Sequence, residues 1–284
     1  MGTRSAEKRK LQSKTSLPAV LLMGLLLLDS CTPVQTTSSG AVGVERKQYM
    51  LVSEQQVEQS AAIAYAQETQ KATQKGALNI NKALTDRVRR IAGRLIPQTA
   101  AFRPDAPGWK WEVNVQTSEE LNAYCMPGGK IMVYTGIIEK LKLTDDELAT
   151  VMGHEISHAL REHGRERVSR QMGQEAVLSL GAALLGVDSD AAVNLANQVA
   201  TVTFQLPHSR EQETEADRLG LELMARAGYN PNAAISVWQK MSASGDGAPP
   251  QFLSTHPSSA TRIADLQALI PRVMPLYESA RAKG

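Results

Sequence analysis

His154, Glu155 and His158 stand as HExxH within "VMGHEISHALREHG", residues 151–164. On an α-helix, residues four apart leave the same face, so the two imidazoles can aim at one ion. Glu155 lies about 100° round the helix from His154, near enough to reach a water beside that ion but poorly set to bind it. Two neutral imidazoles suit Zn2+, one ion per chain, and a zinc site that does chemistry needs a third protein ligand with a fourth position left for water. The chemistry implied is hydrolysis. Zinc lowers the pKa of its water to roughly 7, and Glu155 acts as general base, taking the proton and returning it to the departing amine.

The third ligand must come from elsewhere in the chain. His163 falls nine residues after His154, on what reads as one continuous helix, and would sit more than a turn beyond His158. The longer pattern HExxHxxGxxH would need glycine at 161 and histidine at 164, where this chain has Arg161 and Gly164. His163 is therefore expected to be a structural or surface histidine. The better source is "SREQETEADRLG", residues 209–220. Glu213 and Asp217 are four apart and share a helix face, offering a ligand together with a carboxylate that can accept a hydrogen bond from a ligating imidazole. Glu211 and Glu215 share a different face, which reads as solvated and acidic. Spacing alone separates Glu213 from Glu215 only weakly.

The elements that carry these residues are partly legible. Thr144-Asp145-Asp146-Glu147 forms a capping box, so a helix should start there and run through the whole histidine cluster. Another helix is expected from about His208 to Ala227, ended by Gly228, with Pro231 opening the next. Helical periodicity also runs from Ser53 to about Thr73 and from Asn79 to Ile96, where Leu84, Val88, Ile91 and Leu95 recur and Pro97 ends the pattern. "WKWEVNVQ" (109–116) and "KIMVYTG" (130–136) read as strands, with Pro127-Gly128-Gly129 turning between them. The apolar stretch from Gly173 to Val187 is shorter than the roughly 20 residues a spanning helix needs, so it reads as a buried helix rather than a membrane-facing one.

At 284 residues with 42% apolar content, the chain can supply an ordinary buried core. Arg4, Lys8, Arg9, Lys10 and Lys14 precede an apolar run from Leu17 to Leu28 that ends at Cys31, the order of an export signal. Leu28-Asp29-Ser30-Cys31 resembles a bacterial lipobox, although Asp29 stands where a small residue is usual. Residues 1–31 are thus expected to be a signal ending in a lipidated Cys31, and 32–48 a flexible tether, with the catalytic body at 49–284. The signal carries five basic and two acidic side chains, so its removal takes the formal charge from +2 to −1. A near-neutral body leaves no electrostatic footprint for nucleic acid. With Cys31 lipidated, Cys125 has no disulfide partner in the chain; it reads as a small buried residue, or as a thiol facing the cleft.

The coupling of HExxH to Ser209, Arg210, Glu213, Ala216 and Asp217 resembles the SRxxExxAD signature of peptidase family M48, the zinc metallopeptidases that include HtpX, BepA, LoiP, Oma and the CAAX prenyl proteases. The likeness runs from about Tyr49 to Ile263 and is nearest to LoiP-type lipoprotein peptidases. It implies an α+β fold, mainly α, a zincin of the Glu-ligand type with the HExxH helix beside a small β-sheet. It also implies Glu213 as third zinc ligand and Asp217 as the carboxylate behind an imidazole. "NAYCMPGGKIMVYTG" (122–136) is similar to the family's edge strand at the cleft, so Asn122, Ala123 and Tyr124 are expected to bind extended substrate through the backbone. His256, in "STHPSS", matches a site histidine that either stabilises the oxyanion or fills zinc's open position, with Pro257 setting its direction of entry. His208 precedes the acidic helix and receives no role. The function implied is a zinc endopeptidase acting on unfolded or misassembled proteins at the periplasmic side of a bacterial outer membrane. The alternative is a zinc-stabilised binding or chaperone-like lipoprotein with a closed site.

Overall fold

The computed structural model describes residues 33–184, 195–244, 251–256 and 260–282. The expected signal with Cys31, and Pro257, lie outside them, as do the side chains of most of the apolar stretch at 173–187. Two short strands, β1 (Pro33–Val34) and β2 (Gln48–Tyr49), pair antiparallel ahead of helix α1 (Glu54–Gln74) and helix α2 (Lys82–Leu95). Two 3-10 turns lead into β3 (Glu112–Gln116), β4 (Ala123–Met126) and β5 (Lys130–Tyr134), followed by α3 (Thr135–Lys140) and α4 (Asp145–Leu160). The rest is helical: α5 (His163–Leu184), α6 (Leu195–Phe204), α7 (Arg210–Arg226), α8 (Ala233–Ala243), α9 (Gln251–Thr255) and α10 (Ala260–Ala282). Mostly helical with a small sheet, this is the expected α+β class. Among the described residues no helix is long and apolar enough to cross a membrane.

Local chemistry sets the helix starts. Ser53, Thr144 and Ser209 each accept a hydrogen bond from the backbone three residues on, and in each case the side chain at that position, Gln56, Glu147 or Gln212, accepts from the cap's own N–H. In α2 the expected apolar stripe is turned inward, with Val88, Ile91 and Leu95 fully buried. α4 and α7 cross at the middle of the core, where Gly153 faces Gly220. A Cβ added at Gly220 would stand 2.8 Å from the backbone nitrogen of His154, so the two helices meet backbone to backbone. That contact fixes the distance between HExxH and the acidic helix.

The sheet order is β3-β5-β4. The two strands read from the sequence are therefore not a hairpin. β3 pairs parallel with β5, while the Pro127-Gly128-Gly129 turn joins β4 to β5 as an antiparallel pair. Parallel pairing is possible because the chain crosses the end of β5 between Gln116 and Ala123, and β4 then runs back along its far side before β5 begins. β3 also starts at Glu112 rather than Trp109. The indoles of Trp109 and Trp111 donate to Asp105 Oδ2 and to the Ala106 carbonyl, tying that stretch to the preceding 3-10 turn. β4 is an edge strand, as the resemblance implied, and its other neighbour is the histidine helix α4.

Two expectations fail. Residues 33–48 are not a tether: Val42 and Val44 are buried, Gln48 is fully enclosed, and Ala41 and Val42 donate their backbone N–H groups to Glu222 Oε2 at 2.7 and 3.1 Å. The small, polar composition of this segment serves close packing rather than freedom. Nor does the helix from Thr144 run through the cluster. α4 ends at Leu160, Glu162 takes a left-handed φ of 52°, and a new helix begins at His163. The break is held from outside, because the Arg161 carbonyl accepts from Gln48 Nε2 at 2.7 Å, while the Arg161 side chain turns inward to Glu215.

Candidate metal centre

α4 presents His154 and His158 one turn apart, and α7 presents Glu213 opposite them. His154 Nε2 and His158 Nε2 are 3.1 Å apart, and Glu213 oxygens lie 3.5 and 3.4 Å from them. His256, at the end of α9, adds its Nδ1 at 3.2 Å from His154 Nε2 and 3.0 Å from Glu213 Oε1. All four residues are buried. Ligands about 2.0–2.1 Å from a tetrahedral zinc are roughly 3.3 Å from one another, so these separations fit one ion.

The donor chemistry fits as well. His154 Nδ1 faces Asp217 Oδ1 at 3.0 Å, and an anion there calls for the Nδ1–H tautomer, which leaves the Nε2 lone pair pointing inward. Asp217 is held by Arg262, whose Nε and Nη2 donate to it at 2.6 and 2.8 Å. His158 Nδ1 meets His163 Nδ1 at 2.7 Å, and His163 Nε2 meets Glu215 Oε2 at 2.9 Å. With His163 donating to Glu215, its Nδ1 can accept only from His158, and the His158 Nε2 lone pair is turned inward too. Two imidazole nitrogens 3.1 Å apart in a buried site suit a cation between them, and without one they share a proton.

The break in α4 explains His163. On a continuous helix it could not meet His158, but the reversal at Glu162 folds it back. Its ring is buried between His158 and Glu215, so it is not a surface histidine, and it bears on the site directly. Glu215 corrects the reading of a solvated acidic face. Glu211 is exposed, whereas Glu215 is buried and pairs with Arg46, Arg161 and His163. The partners come from two segments remote from α7, one at Arg46 and one at Arg161 and His163, which spacing on α7 could not disclose. Arg262, at the start of α10, was also missed; its signal was only its place six residues after His256.

The protonation balance follows the geometry. Burial pushes His154 down, but the hydrogen bonds to Asp217 and Glu213 and their charges outweigh it and raise the group to about 9. Burial drives His158 well below its ordinary value. Glu213 is raised by burial but held well below the carboxylate range overall by His256, His154 and His158. Glu155 is raised, chiefly by burial. Its Oε1 is enclosed, has no hydrogen-bond donor among the described residues, and lies 3.5 Å from His256 Nε2. A carboxylate with one unengaged oxygen beside the donor cluster is placed to exchange protons rather than to bind the ion.

A cleft opens on this side, lined by Asn122, Ala123 and Tyr124 together with Glu155, His158, His208 and His256. Cys125 lines it too, but burial raises its thiol well above the ordinary value, so it stays protonated. His208 lies across the His158 ring at a centroid distance of 3.8 Å and stacks on His256 at 4.9 Å. All five histidines of the chain therefore gather at one place.

Comparison with known proteins agrees with this geometry. The model of "Peptidase family M48" matches residues 82–270. The chain is 39% identical over 155 residues to "Mitochondrial metalloendopeptidase OMA1" of Arabidopsis thaliana, covering 55% of this chain and 30% of that one. It is 34% identical over 181 residues to the protein of the same name from Saccharomyces cerevisiae, covering 61% and 51%. It is 29% identical over 167 residues to the "Beta-barrel assembly-enhancing protease" of Escherichia coli, covering 56% and 34%. The chain thus spans about half or less of the length of these relatives. With the family match spanning most of the chain and a cluster of donors suited to one zinc ion, this protein belongs to peptidase family M48, the zinc-dependent metallopeptidases.

Proposed function

We propose that the protein is a zinc endopeptidase that hydrolyses unfolded or misassembled proteins of a bacterial envelope. One observation carries the reading: the buried Glu155 carboxylate, with its Oε1 free of hydrogen bonds among the described residues, stands beside the convergence of His154, His158 and Glu213, on the side facing an edge strand. Those three residues would hold zinc, which would supply Lewis acidity toward the scissile carbonyl and would make water acidic enough to be deprotonated near neutral pH. Glu155 Oε1 takes that proton as the water oxygen bonds to the carbonyl carbon, then delivers it to the nitrogen as the C–N bond breaks. Asp217 and, through His163, Glu215 hold the two imidazoles in the tautomer that binds. Asn122, Ala123 and Tyr124 on the β4 edge would take an extended peptide as an added strand, which favours unfolded substrates over particular sequences.

The position of His256 supports a closed resting state, since its Nδ1 fills the fourth corner of the donor cluster. Peptide hydrolysis then requires His256 to withdraw, and its imidazole becomes available to a developing oxyanion. The same closure favours the second reading, a zinc-stabilised binding lipoprotein. Glu155→Gln separates the two: it should keep zinc and lose cleavage of an unfolded protein by about a hundredfold or more. Cleavage at the parent rate by that variant would refute the peptidase mechanism. The likeness to a protease named for β-barrel assembly, together with the basic and apolar order of residues 1–31, supports residence at the periplasmic side of an outer membrane through lipid on Cys31. Mass spectrometry of the mature N-terminus tests that placement.

A further inference from the structure

Three of the arginines around the metal centre are buried, and two are spoken for. Arg161 is paired with Glu215, and Arg262 with Asp217 and Glu213. Arg167 is different. It stands on α5 one turn after His163, is 9% exposed, and lines the same cleft as Glu155, Asn122 and Tyr124. Its Nη1 donates to the Leu206 carbonyl at 2.8 Å, which anchors one end of the guanidinium. Its Nε is enclosed without an acceptor, and among the described residues no carboxylate pairs with it. The Nε–Nη2 side of the guanidinium is the side that takes a carboxylate with two parallel hydrogen bonds, and among the described residues nothing is bonded there.

An unpaired buried cation is costly to a fold, and burial does lower Arg167, to about 10. A ligand that arrives with the matching charge would offset that cost. The nearest acidic groups do not serve: Glu155 and Glu213 belong to the metal centre and Glu166 is held by Arg46, Gln48 and Gln212. A neutral peptide carbonyl could accept one hydrogen bond from Nε, but it would leave the charge unmatched.

We propose that Arg167 is a substrate-specificity residue, a carboxylate anchor in the peptide cleft that recognises an acidic side chain or the C-terminal carboxylate of the bound chain. This rests on the peptidase reading above. Loss of one desolvated, two-point interaction of this kind weakens binding by about ten- to a hundredfold.

The test uses the zinc-loaded protein and a quenched fluorescent peptide that it cleaves. Glu is exchanged for Gln at each position on either side of the scissile bond, and in a separate series the free C-terminus is exchanged for the amide. The expected result is a preference of about tenfold or more in kcat/KM for the carboxylate form at one position, carried mainly by KM. Arg167→Met should erase that ratio, and Arg167→Lys should restore part of it as a point charge without the fork. An internal preference identifies an acidic side chain, and a preference seen only with the free terminus identifies the chain end. Equal rates for every Glu/Gln and acid/amide pair in the parent protein would overturn the proposal, as would a ratio that survives in a folded, zinc-loaded Arg167→Met variant. Binding of the same peptides to Glu155→Gln, read by fluorescence anisotropy, separates the two ideas. If the zinc-loaded parent protein cleaves none of the peptides yet the carboxylate forms bind preferentially to Glu155→Gln, the anchor stands and the peptidase reading falls.

Discussion

Gly220→Ala puts a single methyl group where α7 meets α4, and the structure fixes what that methyl strikes. The new Cβ would lie 2.8 Å from the backbone nitrogen of His154 and 3.0 Å from its Cα. Ordinary van der Waals contact begins at about 3.4 Å, so the helices must separate by roughly 0.6 Å. Both atoms struck are backbone, and neither can rotate away. His154 itself carries a donor, and Glu213 lies seven residues earlier on the same face of α7. A shift of 0.6 Å therefore exceeds, by about threefold, the roughly 0.2 Å to which metal–ligand distances are held. Zinc affinity should fall by about ten- to a hundredfold. Stability without metal is a contest: alanine is favoured over glycine within a helix by about 1 kcal/mol, and overpacking costs about 1–3 kcal/mol, for a net loss of about 0–2 kcal/mol. Competition against a chromogenic chelator reads the affinity, and thermal melting of the metal-free protein reads the stability. An affinity within twofold of the parent, with a raised melting temperature, would show that helix preference wins and that the backbone contact does not set the site.

Replacing His163 by Asn keeps an acceptor near the position of Nδ1, whereas Leu removes it. Zinc affinity by chelator competition should stay near the parent value for His163→Asn and drop about tenfold for His163→Leu, and equal losses would deny the hydrogen bond a role in orienting His158. Glu166 predicts an acid limb of stability. Although burial raises its carboxyl, hydrogen bonds from Arg46, Gln48 and Gln212 bring it from an ordinary 4.5 down to about 2. A depressed carboxyl stabilises the fold fully above the unfolded value and loses that contribution as pH falls from about 4.5 toward 2. Melting temperature against pH should therefore fall less steeply in that window for Glu166→Gln, and parallel curves for the two proteins would contradict the assignment.

The residues that read well in the sequence are those whose structure depends on near neighbours. Ser53, Thr144 and Ser209 cap helices through groups three positions away, and Val88, Ile91 and Leu95 form a stripe because a helix repeats. His154, His158 and Glu213 were legible for the same reason, with the family likeness deciding between Glu213 and Glu215. What escaped was set by distant partners. The end of α4 at Leu160 depends on Gln48, more than a hundred residues earlier, and the burial of Glu215 depends on Arg46 and Arg161. "TPVQTTSSGAVG" looked like a linker because small residues favour both loose chain and tight contact. Gly40, with φ of 63°, leaves no room for a Cβ, which would stand 2.5 Å from Glu222 Oε2 and 2.7 Å from the Phe102 ring. The parallel pairing of β3 with β5 is likewise a non-local choice that alternation along either strand does not encode.

The strap formed by residues 33–49 has a mechanical meaning. Arg46 grips Glu166 and Glu215, and Gln48 grips the end of the histidine helix, so traction on the chain ahead of Pro33 would be borne by the residues that steady His158. Were the lipid anchor proposed above in place, the membrane would be pulling on the frame of the metal centre. Nicking the strap near Arg46 would release that frame along with the load.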